Sequence, residues 1–343
     1  MEMTEKAMLD SVIGANLAHE DLSNSITLTD GPNRPISQAV GQVPAKNKLH
    51  QWNEQGLNSS GRTNAAGGGA TYAEGITPAA AAKAAGRKSN VTCRIGRLAQ
   101  VSDTMRAEFD GGGTVTLADG EMERQMMDAL DLEAALALIE VLNQAEWMHV
   151  TGDSANATME GGETDGLIKW TTSSGGNQVN TGGSGGSPTA FAESFISDGM
   201  RTAALGFPSI VSDTLLISGE LGPDMTKLVQ NGASRPLVQV ASGQNIELVA
   251  GASVGYYTTP YGVLKIVPHP YLSPTFNPDV TNSTLLAVNL AAMVKIASLN
   301  KLNAELLPRT GPSISKMITW EWAQEHRNVK HTWIAQNIES AVT

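Results

Sequence analysis

Residues 182–186 read GGSGG, the Gly-x-Ser-x-Gly pattern that can present a nucleophilic serine, here Ser184, on a sharp turn. The chemistry would be acyl transfer. It requires a strand before the turn and a helix after it, so that the hydroxyl meets a base and an oxyanion hole. Here the five residues lie inside a Gly/Ser run, and a linker is the expectation. GRKS at 86–89 resembles the end of a phosphate-binding loop, but Arg87 separates the glycine from Lys88 and the upstream glycine is missing. It reads as a basic corner between loop and strand. The triple glycines at 67–69 and 111–113 lack the strand-to-helix setting of dinucleotide binding and read as turns. The histidines, His19, His50, His149, His269, His326 and His331, match no metal-binding spacing. His326 and His331, five apart, are expected on opposite faces of a strand, and each histidine in a surface or hydrogen-bonded structural role. Cys93 reads as a small buried hydrophobe, and Asp103 as the cap of a turn. No acid–base pair is supported by spacing. The expectation is a chain with no catalytic, cofactor-binding or metal-binding residues.

The elements that would position such residues follow from periodicity. Residues 1–45 read as an extended arm with a short helix near its start. KNKLHQWNEQGL (46–57) alternates as a strand. A stretch too glycine-rich for a core follows it, and ITPAAAAKAAGRK is either a short alanine-rich helix or a tip. SNVTCRIGRLAQVSDT reads as a returning strand, with Val91, Cys93 and Ile95 on one face. Residues 46–100 thus form a long hairpin-like excursion. DGEMERQMMDALDLEAALALIEVLNQA (119–145) predicts one long helix with Asp119 as N-cap. Residues 146–187 read as loop-rich. Beyond them the pattern predicts helices at TAFAESFISDGMRTAALG and PDMTKLVQNG, and strands at DTLLIS, LVQV, SVGYYTT, GVLKIVPH and TLLAVNL. A tight hairpin should turn at TPYG. The last stretch, SISKMITWEWAQEHRNVKHTWIAQNI, predicts a hairpin turning near HRN. Ile314, Ile318, Trp320 and Trp322 should share one of its faces.

Composition narrows the function classes. The 343 residues are 41% hydrophobic, 17% charged and 5% aromatic, with 35 glycines and a net charge of −11. Low charge with ample apolar content argues against intrinsic disorder. An acidic chain without a basic run is poorly suited to reading nucleic acid, where cationic side chains must replace counterions. One cysteine excludes a disulfide within the chain and a cysteine-based zinc site. The acidic N-terminus lacks the apolar core of a signal peptide. The apolar run 285–294, broken by Asn289, is too short to span a bilayer. A monomer would gain nothing from ordering so long a glycine-laced excursion; docking on a neighbouring copy would offset that cost. The sequence order of excursion, long helix and returning tryptophan-bearing strands therefore suits a shell subunit better than a catalytic domain.

Three segments carry a resemblance: HQW…AEGITP…RKSNVTCRIGRLAQVSDT, DGEMERQMMDALDLEAALALIEVLN and LLPRTGPSISKMITWEWAQEHRNVKHTWIAQNI. Together with VGYYTTPYGVLKIVPHPYL, the chain from about residue 40 onward resembles the tailed-bacteriophage major capsid proteins of the Hong Kong 97-type fold. The resemblance implies an α+β fold with an N-terminal arm (1–45), an E-loop (46–100) and a P-domain (101–165) whose spine helix covers about 120–145. An A-domain (166–305) and C-terminal strands returning to the P-domain (306–343) complete it. It places Leu136 and Ile139 of the spine helix near Trp320 and Trp322.

It also implies a non-enzymatic, self-assembling icosahedral head protein of the virion, made in the host bacterial cytoplasm without cofactors or membrane. The expected partners are other copies as pentamers and hexamers, a separate scaffolding protein, a portal protein, a decoration protein, and double-stranded DNA held by loose non-specific contact. Two alternatives stand beside it: an encapsulin-type nanocompartment shell, and a glycine-rich hydrolase using Ser184.

Overall fold

The computed structural model describes residues 25–27, 34–55, 85–104, 113–116, 123–126, 129–155, 162–180, 187–206, 212–231, 255–278, 280, 282–309 and 311–340. In chain order the elements are β1 (Ser25–Thr27), α1 (Pro35–Ala39), β2 (Gly41–Pro44), β3 (Leu49–Gln55), β4 (Ala85–Val91), β5 (Cys93–Ser102), β6 (Gly113–Thr116), β7 (Glu123–Met126) and α2 (Ala129–Thr151). Next come α3 (Leu167–Ser173), β8 (Asn177–Asn180), β9 (Thr189–Ala190), α4 (Glu193–Gly206), β10 (Thr214–Ile217) and α5 (Gly222–Asn231). The chain continues through β11 (Tyr256–Thr259), β12 (Gly262–Pro268), β13 (Ser283–Val288), α6 (Leu290–Met293), β14 (Val294–Leu306), β15 (Ser313–His326) and β16 (Trp333–Glu339). Short 3-10 turns cover Gly219–Leu221, Pro270–Leu272 and Val329–His331.

The residues fall into two units. One holds Met1–Pro32, Ala99–Leu136 and Leu306–Lys316. Within it, β1, β6 and β7 form a three-stranded sheet, and Val101, Leu130 and Ile314 pack together. The other unit holds Asn33–Leu98, Ala137–Glu305 and Met317–Thr343. Its main core lies on a seven-stranded sheet in the order β11-β12-β10-β13-β16-β8, with β9 pairing beside β16. Ile196 and Met200 of α4 and Met225 of α5 cover Leu215, Leu264, Leu285 and Trp333 of this sheet. β13 is buried at every position, as its apolar run Leu285–Val288 requires of a central strand. Gly199 of α4 lies so close to the indole of Trp333 that a Cβ there would sit 2.4 Å from the ring. A four-stranded sheet runs β2-β14-β15-β5, and β3 and β4 form a separate hairpin in register from Leu49↔Val91 to Gln55↔Ala85.

Many sequence expectations hold. Cys93 and Ile95 are buried on alternate positions of β5 as expected, but Val91 ends β4 and is half-buried, and Thr92 between the strands is buried. Ile318, Trp320 and Trp322 are buried on alternate positions of β15, with Ile314 half-buried. The tight hairpin turns at Pro260–Tyr261, with Thr259 opposite Gly262. The Thr259 hydroxyl donates to the Gly262 carbonyl at 2.8 Å and accepts from the Tyr261 amide.

Four expectations are corrected. The long helix starts at Ala129 and runs to Thr151, because Glu123–Met126 pairs with β6 as a strand; tertiary pairing overrides local helix preference there. It stops at Gly152, where a Cβ would meet the Thr164 carbonyl at 2.2 Å. Its Leu136 and Ile139 are half-buried, while Val141, Ala145 and Met148 are buried. The last two strands are not a hairpin. After β15, Asn328 turns through a left-handed conformation (φ 50°) and a 3-10 turn, and β16 joins the seven-stranded sheet between β13 and β8. Trp333, Ile334 and Ala335 are all buried, which demands cover on both faces and drives that switch. GRKS lies within β4 and is no corner, because the β3 register extends past it to Ala85. The stretch read as loop-rich carries α3 and β8, the latter pairing with β16. LVQV, Asp119, His19, Ser184, the 67–69 glycines and Gly111–Gly112 lie outside the described residues.

Candidate functional site

The most elaborated polar site stands at the base of the β3–β4 hairpin. On β3 only Trp52 is buried, and it packs against Trp170 of α3 and Val329. The two indole rings lie 5.4 Å apart. Either side of Trp52, two polar residues grip the end of β15 and the turn after it. His50 Nε2 lies 2.9 Å from Glu325 Oε2, and the Glu54 carboxylate accepts the Asn328 amide at 2.9 Å. Glu325 also takes a hydrogen bond from Arg327 Nε at 2.5 Å. From β4, the buried Asn90 amide donates to the Gln324 carbonyl at 2.7 Å and to the Asp165 carbonyl at 3.1 Å, and accepts the Asp165 amide at 3.0 Å. The hairpin is thus fixed at its foot by both strands.

Behind this joint lie His326 and His331, edge to face at 5.6 Å. They meet instead of occupying opposite faces, because the chain leaves the strand at His326 and His331 returns in the 3-10 turn. Burial, and then the neighbouring His331, push the His326 imidazole down to about 3, and neither of its ring nitrogens has a hydrogen-bond partner. His331 is also lowered by burial and gives its Nδ1 to the Asn328 carbonyl. Both rings are neutral at ordinary pH. They fill space in the core behind the joint.

A second buried polar cluster surrounds Glu146, wholly inside α2's surroundings. Its carboxylate accepts from the Ile36 amide at 2.7 Å, the Ser37 amide at 2.9 Å and the Ser37 hydroxyl, and lies 3.1 Å from His269 Nε2. Burial alone would raise this carboxyl, but the His269 hydrogen bond and the nearby His149 and His269 outweigh it and hold it below the ordinary value. His149 is pushed down by burial and lies 3.3 Å from the Gln324 side-chain oxygen. Glu146 escaped the sequence reading. The expected helix ended at 145, whereas the helix runs on through AEWMHV to Thr151 and buries both Glu146 and His149.

Cys93 is buried, its thiol raised by burial to about 12 and donating to the Trp322 carbonyl; it is unreactive, as expected of a core residue. Asp103 accepts an ion pair from Arg309. Among the described residues no group of three or more metal-ligating side chains converges. No described helix is long and apolar enough to cross a membrane. The exposed surface is more informative. β14 is exposed from Asn300 to Leu306, and an open groove of about 390 Å³ runs beside it, lined by Arg94, Lys301, Glu305, Thr319, Trp320 and Glu321 among others. At the edge of the seven-stranded sheet, Tyr256, Tyr261 and Val263 are exposed.

Residues 5–339 match the family model described as SU10 major capsid protein. No curated protein matches the sequence. Among solved structures, the capsid of an empty GTA particle is similar at TM-score 0.59 and 11% identity, over 96% of this chain and 99% of that one. A structure from Gordonia phage Cozz is similar at TM-score 0.55 and 9% identity, over 96% and 93%. The holo-SrpI encapsulin complex from Synechococcus elongatus PCC 7942 is similar at TM-score 0.56 and 8% identity, over 95% of each chain. At such identities the likeness is one of fold.

Proposed function

We propose, from the premise that this chain belongs to the SU10 major capsid protein family and is a structural subunit of a phage head shell built from many copies of itself, that the β3–β4 hairpin is the reach of each copy onto a neighbour. The fold is the α+β Hong Kong 97 type. The observation that carries the proposal is the contrast within the hairpin: its foot is clamped by Trp52, His50, Glu54 and Asn90, while most side chains of β3 face outward. A body-anchored ladder with free outer faces is what an intersubunit arm needs. Residues 46–100 then act as the E-loop and 1–45 as the N-terminal arm. Residues 101–165 act as the P-domain and 166–305 as the A-domain, with 306–343 returning to the P-domain.

The work is mechanical: many weak, repeated contacts sum through multivalency. The subunit acts without catalysis. With a net charge of −11 the lining would hold packaged double-stranded DNA loosely. Assembly would take place in the host cytoplasm with separate scaffolding, portal and decoration proteins. The encapsulin likeness is of fold, and the family match favours the head shell.

The test removes residues 60–84, leaving the paired strands whole. The expected product is a folded subunit, with unchanged circular dichroism and unfolding midpoint, that fails to form shells by electron microscopy. Normal shells from the deleted chain, or loss of the fold, would refute the assignment.

A further inference from the structure

We propose that residues 34–44 form a strap that leaves and re-docks as one piece, latched by the buried carboxylate of Glu146. The strap is α1 followed by β2. It is attached in three places. Ile36 and Val40 are its buried apolar side chains. β2 lies parallel to β14 over Gly41–Pro44 against Lys295–Ser298, at the sheet's edge, with Gly41, Gln42 and Pro44 exposed. The third attachment is Glu146, which receives two amides and a hydroxyl from the strap, against one ring nitrogen from elsewhere. Two apolar anchors and a short edge ladder mark a segment of low local stability. Hydrogen bonds to an ionised group are stronger than neutral ones, so the carboxylate dominates the attachment.

The latch works in both directions. Undocking would strip Glu146 of three donors and leave His269 as its partner. The groups that face it are Arg34 on the strap, His149 on α2, and His269 with Tyr271 around the 3-10 turn after β12. An ionised Glu146 therefore favours the docked strap, and docking gives three hydrogen bonds to what would otherwise be a costly, poorly solvated buried charge. The inference holds whatever the chain assembles into.

Hydrogen exchange read by mass spectrometry on the full-length protein tests it, comparing peptides of 34–44 with those of β13 and β16. In the wild type the strap peptides should exchange at least about tenfold faster than β13, through an opening that low denaturant does not accelerate. Glu146→Ala should raise strap exchange a further ten- to hundredfold and leave β13 unchanged. Ser37→Ala removes one donor from the strap side without touching the core, and should give a several-fold rise confined to the same peptides. Strap peptides that exchange together with β13 in the wild type would overturn the proposal. So would a Ser37→Ala variant with unchanged strap exchange, or a Glu146→Ala variant in which all peptides exchange faster by one common factor.

Discussion

The two larger sheets handle their surfaces in opposite ways. The seven-stranded sheet closes its own core: β13 is buried throughout, α4 and α5 supply Ile196, Met200 and Met225, and Trp333 fills the space beside Gly199. In the four-stranded sheet the two central strands, β14 and β15, are buried over only part of their length. β14 is buried at Val294, Ile296 and Ala297 but exposed from Asn300 onward, and β15 is buried over 322–326 but only half-buried over 313–317. One region is a self-sufficient core. The other carries strand surface that a lone subunit leaves in water, as befits a protein whose neighbours are copies of itself. Stability and assembly should therefore respond to different residues.

The largest expected effect is in the first region. Trp333→Ala should cost about 3–5 kcal/mol in subunit stability, read by urea unfolding of assembly-blocked subunits. Gly199→Ala, which forces a methyl against the same ring, should cost about 1–3 kcal/mol. Values near zero for both would mean that this sheet does not hold the core together.

An acid response comes next. His326 is neutral and buried, with its folded value near 3 and its unfolded value near 6.5. Its contribution is complete above pH 6.5 and is lost as pH falls from there towards 3, because the unfolded chain takes up the proton first. Stability measured from pH 7 to pH 4 should fall, and His326→Phe should flatten that slope. A wild-type curve no steeper than the variant's would exclude the effect.

The smallest effect on stability belongs to the open strand. Leu302→Asp on β14 should change subunit unfolding by no more than about 0.5 kcal/mol, as exposed sites do, yet reduce the yield of shells seen by electron microscopy. A destabilised subunit, or an undiminished yield, would erase the distinction between the two regions.

What the sequence disclosed follows the same division. Period-two alternation exposed β5 and the inner half of β15 because one face of each is buried. The TPYG turn and most of the helix expected from Thr189 were visible from local chemistry alone, although Thr189–Ala190 pairs with β16 as β9 and the helix begins at Glu193. The errors arose where distant partners decide. Glu123–Met126 is a strand only because β6 offers it a ladder, and β16 leaves β15 only because β13 and β8 lie elsewhere to receive it. The hairpin joint was illegible for the same reason. Asn90, His50 and Glu54 meet Gln324, Glu325 and Asn328 more than two hundred residues away, and no local pattern announces such a meeting. Glu146 was missed for the same reason: the expected helix ended at 145, and its partners Ile36, Ser37 and His269 all lie over a hundred residues away along the chain.

The position of β16 has a consequence for synthesis. It is inserted between β13 and β8, so the sheet stays split until the ribosome has passed residue 339. At roughly 5–20 residues per second, β8 waits on the order of ten to thirty seconds for its partner to emerge. During that time Leu285 and the apolar face of α4 lack the Trp333 ring that covers them in the finished sheet. A chain broken off before that strand would keep a gap in the middle of its largest core.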